Sequence, residues 1–545
     1  MADVRFIDEA VPAVVGESLL EHAQRSSGAF QEIASTCDGS GTCRECVVCV
    51  VDGAEALSEP TSEEDAVSGA ADDRYGGTFR LACRANVVDA SRDIEVVTFR
   101  RDLKILTHGV GLDRTALAPR VRRRDSRVVV GDAEIEVSDG GLFGVALDVG
   151  TTTVVAELVD LQTGEARATA SFENPQRFGG SNVINRIGYD RDHRGLLQRV
   201  LVGHLNRALG DLPCDRDEIL ELVVAGNPTM RDVFFGLDVQ PLGVSPFLST
   251  TESSREASGR GSTALEAMAS DLGLEVHPQA RVYGLPLVAC HVGADAAAGM
   301  LVSGMWSAAE PVLFMDIGTN TEVLLGNRDR ILAASSPAGP AFEGAGVTFG
   351  MPGMEGAIES VRIENGSARW RTIGDLPPRG ICGSGLVDLL GELVRTDRVN
   401  ASGRLLDSSG SIHVAAEHGI TFSDRDIAEI AQAKGSNFAA QMILMKLFGI
   451  DTDGVGTLFL AGGFAEYLDV EQAQRIGMIA AVPTHRVVKL GNASLAGARA
   501  LLCNASLRSE LERRVREVEH VRLELDPDFF GLFVEGMRFH VADRR

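Results

Sequence analysis

Apolar positions in this chain fall into short runs broken by glycine-rich turns, and the order of the runs predicts its elements. Near the N-terminus a short strand pair ends at Val15, GESLLEHAQRSS reads as a helix, and VVCVVDG reads as a strand after an intervening loop. Residues 142–160, LFGVALDVGTTTVVAELVD, run as a buried strand into the turn DVGTTT and out as a second strand. Residues 312–327, VLFMDIGTNTEVLLGN, repeat that pattern, with Asp316 lying 168 residues after Asp148. A third run, LFLAGGFAEY at 458–467, ends its strand in a glycine pair. Within 254–280, SSREASGRGSTA predicts a loop and ALEAMASDLGLEV a helix, and DIAEIAQAKGSNFAAQMILMKLFGI predicts the longest amphipathic helix. No apolar stretch reaches the about 18 residues of a membrane span. The start MADVRFIDEAV has neither a basic nor an apolar leader segment, so a cytoplasmic location is expected and neither export nor a membrane partner is.

At 545 residues the chain exceeds one ordinary core, and two to four domains are expected. A hydrophobic fraction of 44% with 24% charged residues is globular in character. The net charge of −25 repels polyanions and argues against a nucleic-acid partner. That charge is uneven: residues 1–99 hold 19 Asp and Glu against 7 Arg, whereas residues 100–127 hold 9 basic against 3 acidic residues. The basic run RVRRR at 120–124 reads either as a solvated face or as a docking segment for an acidic surface.

Nine cysteines are present, and four of them lie between Cys37 and Cys49. Such clustering points to metal rather than to disulfides. CDGSGTCRECVVC sets Cys37, Cys43 and Cys46 in a C-x5-C-x2-C array, and 36 residues separate Cys46 from Cys83 in RLACRA. Three ligands from one loop and a distant fourth is 2Fe-2S ligation of the plant type, lengthened by one residue as in the adrenodoxin-like branch. Glycines 39 and 41 suit a loop whose amides turn toward sulfide. Zinc is the competing metal, but its usual second C-x2-C knuckle is missing, and the flanking strands and helix fit a β-grasp ferredoxin. Cys49 is a spare, expected to be an inert, inward thiol on the strand.

The two strand-Asp-x-Gly-Thr-strand segments are hairpins that offer amides and hydroxyls to phosphate, with an Asp placed to hold hydrated Mg2+. No G-x-x-x-x-G-K-[ST] loop is present, and GAGVTFG at 344–350 lacks the dinucleotide spacing, so ATP is favoured over nicotinamide or flavin. Two phosphate hairpins followed by a glycine pair after a strand resemble the acetate and sugar kinase, Hsp70 and actin (ASKHA) superfamily. The expected fold is therefore α+β and α/β multidomain: a β-grasp 2Fe-2S ferredoxin, a linker, and an actin-like, ribonuclease H-like ATPase in two halves.

A ferredoxin fused to an actin-like ATPase resembles the reductive activators of corrinoid enzymes with an N-terminal 2Fe-2S domain. The resemblance covers nearly the whole chain and rests on CDGSGTCREC, ALDVGTTTVVAEL, NPQRFGGSNVINRI, VVAGNPTM, GLDVQPLGVSPF, GADAAAGM, MDIGTNTEVLLGN, AGPAFEGAGVTFGMPG, GICGSGLVDLL, LAGGFAEYLDVEQAQRIG and GNASLAGAR. It implies an ATP-hydrolysing enzyme that passes one electron from its cluster to the Co(II) corrinoid of a methyltransferase system, restoring Co(I). A corrinoid protein and an upstream reductant or ferredoxin reductase would be its partners, and a homodimer is one expectation. It implies phosphate contacts at Asp148, Gly150, Thr151, Thr152 and Thr153, and at Asp316, Gly318, Thr319 and Asn320. Gly462 and Gly463 match the adenosine motif. Asp295 in GADAAAG is the candidate for orienting the attacking water or the metal, with a helix N-cap as the alternative role. Cys382 in ICGSG reads as a structural, buried thiol. Where relatives often read G-A-D-V, this chain carries Ser181-Asn182-Val183, which removes a carboxylate from that loop. The chain ends without a cysteine-rich tail, which sets aside the subtype with added 4Fe-4S clusters. The expected map is a ferredoxin at 1–99, an Arg-rich linker at 100–140, a first half at 141–309 and a second at 310–545. Two other readings keep the same motifs: a redox-regulated small-molecule kinase of this fold, and a ferredoxin electron carrier whose ATPase region is not coupled.

Overall fold

The computed structural model describes every residue except 1, 7–8, 27–32, 34, 36, 38, 66, 68–76, 100–116, 125–126, 132, 136–139, 181, 259–260, 408, 464 and 540–545. The chain forms two compact units. Of the described residues, one holds those up to 99, those from 117 to 286, and 498–509; the other holds those from 287 to 497 and from 510 to 539.

In the first unit, strands β1 (Asp3–Phe6), β2 (Glu9–Pro12), β3 (Val47–Asp52), β4 (Thr78–Leu81) and β5 (Ile94–Val97) form one sheet in the order β2-β1-β5-β3-β4. Helix α1 (Leu19–Gln24) lies between β2 and β3 in the chain. It starts where Ser18 accepts from the Glu21 amide and Glu21 accepts in return from the Ser18 amide, a capping box that satisfies two orphan donors. Burial alternates on β1, where Val4 and Phe6 are covered, whereas Val47, Val48, Cys49 and Val50 of β3 are all buried, so that strand is covered on both faces.

Of the expected linker, residues 100–116 lie outside the described residues. Among its described residues, β6 (Val121–Arg124), β7 (Arg127–Val130) and β8 (Ala133–Ile135) pair antiparallel in that order. Two members of the basic run are tied down, Arg120 to Glu266 at 2.8 Å and Arg123 to the Gly140 carbonyl at 3.0 Å.

The rest of this unit is a six-stranded sheet of β9 (Phe143–Val149), β10 (Thr153–Asp160), β11 (Ala166–Glu173), β12 (Ile219–Gly226), β13 (Leu265–Met268) and β14 (Arg281–Gly284), ordered β11-β10-β9-β12-β14-β13. Its helices are α2 (Val183–Asp192), α3 (Leu196–Gly210), α4 (Pro228–Phe234) and α5 (Thr250–Ser258). The sequence-based loop and helix within 254–280 are reversed. SSREAS lies in α5, started by reciprocal Ser249 and Glu252 hydrogen bonds, and Leu265–Met268 is an edge strand antiparallel to β14. The helix propensity of ALEAM is outweighed by the backbone bonds it makes in completing the sheet.

The second unit contains α6 (Ala294–Ser303), β15 (Val312–Ile317), β16 (Thr321–Gly326), β17 (Ile331–Ser336), a small sheet of β18 (Ala357–Glu364), β19 (Ser367–Thr372) and β20 (Gly380–Ile381), then α7 (Gly383–Arg395) and the hairpin β21 (Ser411–Ala415) and β22 (Ile420–Ser423). After them come α8 (Asp424–Phe448), β23 (Thr457–Ala461), α9 (Val470–Arg475) and β24 (Val487–Gly491), then α10 (Ala493–Cys503) and α11 (Ser506–Val515), of which residues 498–509 count with the first unit, and finally β25 (Glu519–His520) and α12 (Phe529–Met537). Its main sheet runs β24-β23-β15-β16-β17-β25. Five strands of each large sheet share one plan: a three-strand antiparallel meander whose first strand continues into two parallel ones, β11-β10-β9-β12-β14 and β17-β16-β15-β23-β24. This duplication is the two-half fold that the sequence predicted.

The predicted long helix is α8, opened by a Ser423–Asp426 capping box and ended by Gly449 at φ +85°. It is more deeply buried than an amphipathic surface helix, because α12 crosses it where Gly435 and Gly536 leave no room for a Cβ on either side.

Candidate cluster centre and nucleotide hairpins

The loop from Cys37 to Cys46 turns at Gly39 (φ +81°), Gly41 (φ +77°) and Arg44 (φ +61°). It brings Cys37 and Cys43 together at 3.2 Å between sulfurs. Cys46 stands at the head of β3, and its carbonyl accepts from the Ala82 amide at 2.8 Å, which sets the turn after β4 beside it and puts Cys83 3.3 Å from the Cys46 sulfur. A tetrahedral metal with bonds of about 2.3 Å to sulfur spaces two ligand sulfurs by roughly 3.8 Å. The two pairs are thus close to what two iron sites with two thiolates each require, and the residues fit a 2Fe-2S cluster. Among the described residues no three His, Cys, Asp or Glu side chains converge as one mononuclear ion would need.

Burial works against ionising Cys37, yet hydrogen bonds from the Ser40 hydroxyl, Cys43 and the Gly41 amide draw it down to about 6. In the other pair Cys46 donates to Cys83. That bond and burial hold the Cys46 thiol well above its usual range, while Cys83 is lowered. Cys49 is fully buried on β3 opposite Phe79 and Val97, as expected of a bystander. Cys382 is also buried, with its thiol on the Ile358 carbonyl at 3.3 Å.

Asp148 is the penultimate residue of β9, register-paired with Val155 and Ala225, and Gly150, Thr151 and Thr152 make the turn from Val149 to Thr153 at the start of β10. The Gly150 amide donates to the Thr153 carbonyl at 3.0 Å, and a Cβ at Gly150 would lie 2.5 Å from that same oxygen. Three side chains to which the sequence gave no role hold the turn. The Asn174 amide group donates to Gly150 O at 2.7 Å, and its backbone N–H donates to Thr152 O at 2.7 Å. Buried Arg186 donates to Thr151 O at 2.6 Å, and Asn227 donates to the Thr151 hydroxyl at 2.8 Å. Asn174 and Asn227 also cap the helical turns that follow them, so each joins a helix start to the hairpin. Thr152 and Thr153 remain half-exposed at the tip. Ser181 lies outside the described residues, and Asn182 caps α2 by accepting from the Asn185 amide.

In the second unit Gly318, Thr319 and Asn320 form the equivalent turn, also half-exposed. The Thr319 hydroxyl donates to Glu343 at 2.7 Å, and its carbonyl accepts from the Gly339 amide at 2.9 Å. Asp316 stands in a lateral row Ala461–Asp316–Glu322–Ser335 across β23, β15, β16 and β17. Gly462, at φ +105°, packs onto the end of β15, where a Cβ would meet the Ile317 carbonyl and lie 3.1 Å from an Asp316 oxygen. Gly463 faces open space. Gly293, not Asp295, holds the cap position of α6; Asp295 sits one residue inside the helix and accepts from the Ala296 amide at 2.8 Å. Burial raises the Asp295 carboxyl to about 6 despite amide donors. Burial, with the charges of Asp295 and Asp316, pushes Glu322 well up. Asp295, Asp316, Glu322 and the Gly462–Gly463 turn belong to this unit, and the Asp148 hairpin belongs to the other.

Sequence reasoning missed Asn174, Arg186, Asn227, Glu322 and Glu343. Their only signal was membership in NPQRFGGSNVINRI, VVAGNPTM, MDIGTNTEVLLGN and AGPAFEGAG, strings that show no chemistry until the backbone folds back on the turns.

Residues 6–88 match the family described as a 2Fe-2S iron-sulfur cluster binding domain, 143–308 the RACo middle region, and 310–545 the C-terminal domain of RACo, the ASKHA domain. The corrinoid activation enzyme RamQ of Eubacterium limosum is 30% identical over 429 residues, 73% of this chain and 70% of that protein. The [Co(II) methylated amine-specific corrinoid protein] reductase of Methanosarcina barkeri is 26% identical over 434 residues, 72% of this chain and 76% of that protein. Among solved structures, a reductive activator for corrinoid, iron-sulfur protein superposes with a TM-score of 0.69 at 26% identity, covering 99% of this chain and 98% of that one. The chain therefore belongs to the RACo family of corrinoid activation enzymes, with a 2Fe-2S domain ahead of the RACo middle region and the ASKHA domain.

Proposed function

We propose that this protein is an ATP-dependent reductive activator that passes one electron from its 2Fe-2S cluster to the Co(II) corrinoid of a methyltransferase system, restoring Co(I). The observation that carries the reading is the presence, in one chain, of two cysteine pairs spaced for two irons and two braced Asp-x-Gly-Thr turns. Relatives whose names describe corrinoid activation and corrinoid protein reduction support it. The cluster would supply a one-electron donor. Cys37, Cys43, Cys46 and Cys83 would hold it, and the Gly41 amide, already directed at Cys37 and Cys83, would stabilise negative charge on the sulfurs. Thiolate-ligated 2Fe-2S centres of this class lie near about −400 mV. A weaker acceptor makes the transfer uphill by about 1.4 kcal/mol per ~59 mV. Nucleotide offsets such a gap only by binding two states of the protein differently.

Within the ATPase region, Gly150–Thr153 and Gly318–Asn320 would contact phosphate, Asp148 and Asp316 would hold hydrated Mg2+, and Gly462–Gly463 would lie against adenosine. Asp295 would orient the attacking water; its charge and that of Asp316 both act on Glu322, and Gly293 holds the cap position of α6. Among the described residues no helix is long and apolar enough to cross a membrane, and all nine cysteines are unbridged, which suits a reducing cytoplasm.

The test mixes reduced protein with a Co(II) corrinoid protein and follows Co(I) absorbance with and without Mg-ATP. ATP-dependent Co(I) is the expected result. Accumulation of a phosphorylated small molecule without Co(I) would sink the reading and favour the kinase alternative.

A further inference from the structure

Helix α2 touches both functional regions of its unit. Its Arg186 is fully buried and reaches back to the phosphate turn at Thr151 O, while its Nε donates to Gly180 O at 3.0 Å. Three residues on, and so on a neighbouring part of the helix surface, Tyr189 is linked to the ferredoxin region through Phe178. Its ring lies edge-on to Phe178 at 5.5 Å, and Phe178 is edge-on to Phe79 of β4 at 6.4 Å. Among the described residues the buried Tyr189 hydroxyl has no hydrogen-bond partner, and the Arg44 charge acts on it. Arg44 and Glu45 are the two residues between the ligands Cys43 and Cys46. Glu45 is itself pressed against Gly203 of α3, where a Cβ would lie 2.7 Å from its carboxyl carbon. One apolar cluster continues from Phe79 through Phe178 and Ile187 to Leu197, so the cluster loop is seated on α2 and α3 through packed side chains.

We propose that α2 is the coupling element between nucleotide and cluster: Arg186 ties it to the phosphate turn and Tyr189 carries its position to the Arg44–Cys46 segment, so nucleotide occupancy and cluster redox state influence each other. The inference rests on the nucleotide and cluster assignments of the proposed function. A buried guanidinium bound to a turn carbonyl cannot follow that turn without moving its helix, because the side chain has no solvent-filled space to swing through. The cluster loop packed on the same helix then experiences a different arrangement of the Arg44 charge and of the Tyr189 ring. Coupling of two binding equilibria is reciprocal, so the effect of nucleotide on the cluster equals the effect of cluster reduction on nucleotide affinity.

The experiment measures the affinity of the full-length, cluster-loaded protein for a non-hydrolysable ATP analogue with Mg2+, once oxidised and once reduced with dithionite. The two affinities should differ by about fivefold or more, equivalent to a shift of about 40 mV in the cluster potential. Tyr189→Ala should bring the ratio close to one while the analogue still binds, and Tyr189→Phe, which keeps the ring, should restore it. As a second readout in the unsubstituted protein, the analogue should change the visible circular dichroism of the oxidised cluster. Equal affinities in the two redox states with an unchanged spectrum would overturn the coupling and leave the proposed function standing. A Tyr189→Ala protein that keeps the full ratio would overturn the role of α2. Failure of the analogue to bind in either state would bring down the proposed function as well.

Discussion

Two adjacent glycines with opposite surroundings provide a sharp test of the ATPase region. At Gly462 the backbone sits at φ +105° and a Cβ would run into the Ile317 carbonyl; at Gly463 nothing lies within 4 Å of that position. For Gly462→Ala the left-handed backbone costs about 1–2 kcal/mol, and forcing a methyl against fixed backbone costs about 1–3 kcal/mol more. The expected destabilisation is therefore about 2–5 kcal/mol. For a region the size of residues 310–545 that corresponds to a fall of about 4–20 °C in its unfolding transition. Gly463→Ala meets neither penalty and should unfold within about 2 °C of the unsubstituted protein. If this turn lies against adenosine, Gly463→Ala should weaken nucleotide binding with the fold intact. Differential scanning calorimetry and fluorescent-nucleotide titration on both variants decide the matter. A Gly462→Ala protein as stable as its parent would refute the close packing of this turn on β15. Unchanged nucleotide affinity in Gly463→Ala would refute the adenosine assignment.

Cys83→Ser should lose the native visible spectrum and corrinoid reduction while retaining nucleotide binding, whereas Cys49→Ala should keep the cluster; loss of nucleotide binding in Cys83→Ser would show that the two functions are not separable. Glu343→Ala removes the acceptor for the Thr319 hydroxyl, a bond worth about 0.5–1.5 kcal/mol, so the KM for ATP should rise roughly two- to tenfold in steady-state assays. Lys434, buried in α8, donates to the Gly536 carbonyl and to Arg538 O at 2.7 Å, and burial lowers its pKa to about 7 from the usual 10.5. Its unfolded form binds more protons between those values, so its contribution to stability is complete above 10.5 and is lost as pH falls to about 7. Hydrogen exchange of residues 529–537 should accordingly show protection, corrected for intrinsic rate, rising between pH 7 and 9. Lys434→Met should remove that rise.

The sequence by itself determined the chemistry that depends on local spacing. C-x5-C-x2-C and the two Asp-x-Gly-Thr turns between apolar strands each place their residues within a few positions of one another, where backbone geometry alone fixes the outcome. The long helix α8 was equally legible because its cap and apolar repeat are local signals. What only tertiary structure decided are relationships between distant segments. Leu265–Met268 became a strand because β14 offered an open edge, and residues 121–135 became a sheet although they read as a basic linker. Asn174, Arg186, Asn227 and Glu343 took their roles from carbonyls and hydroxyls that lie 24–76 positions away in the chain. A buried polar group must be satisfied wherever the fold brings a partner, and spacing along the chain does not encode where that will be. The pairing of Cys46 with Cys83 shows both sides: the cysteines were countable in the sequence, but it took the Ala82 amide meeting the Cys46 carbonyl to set the two sulfurs together.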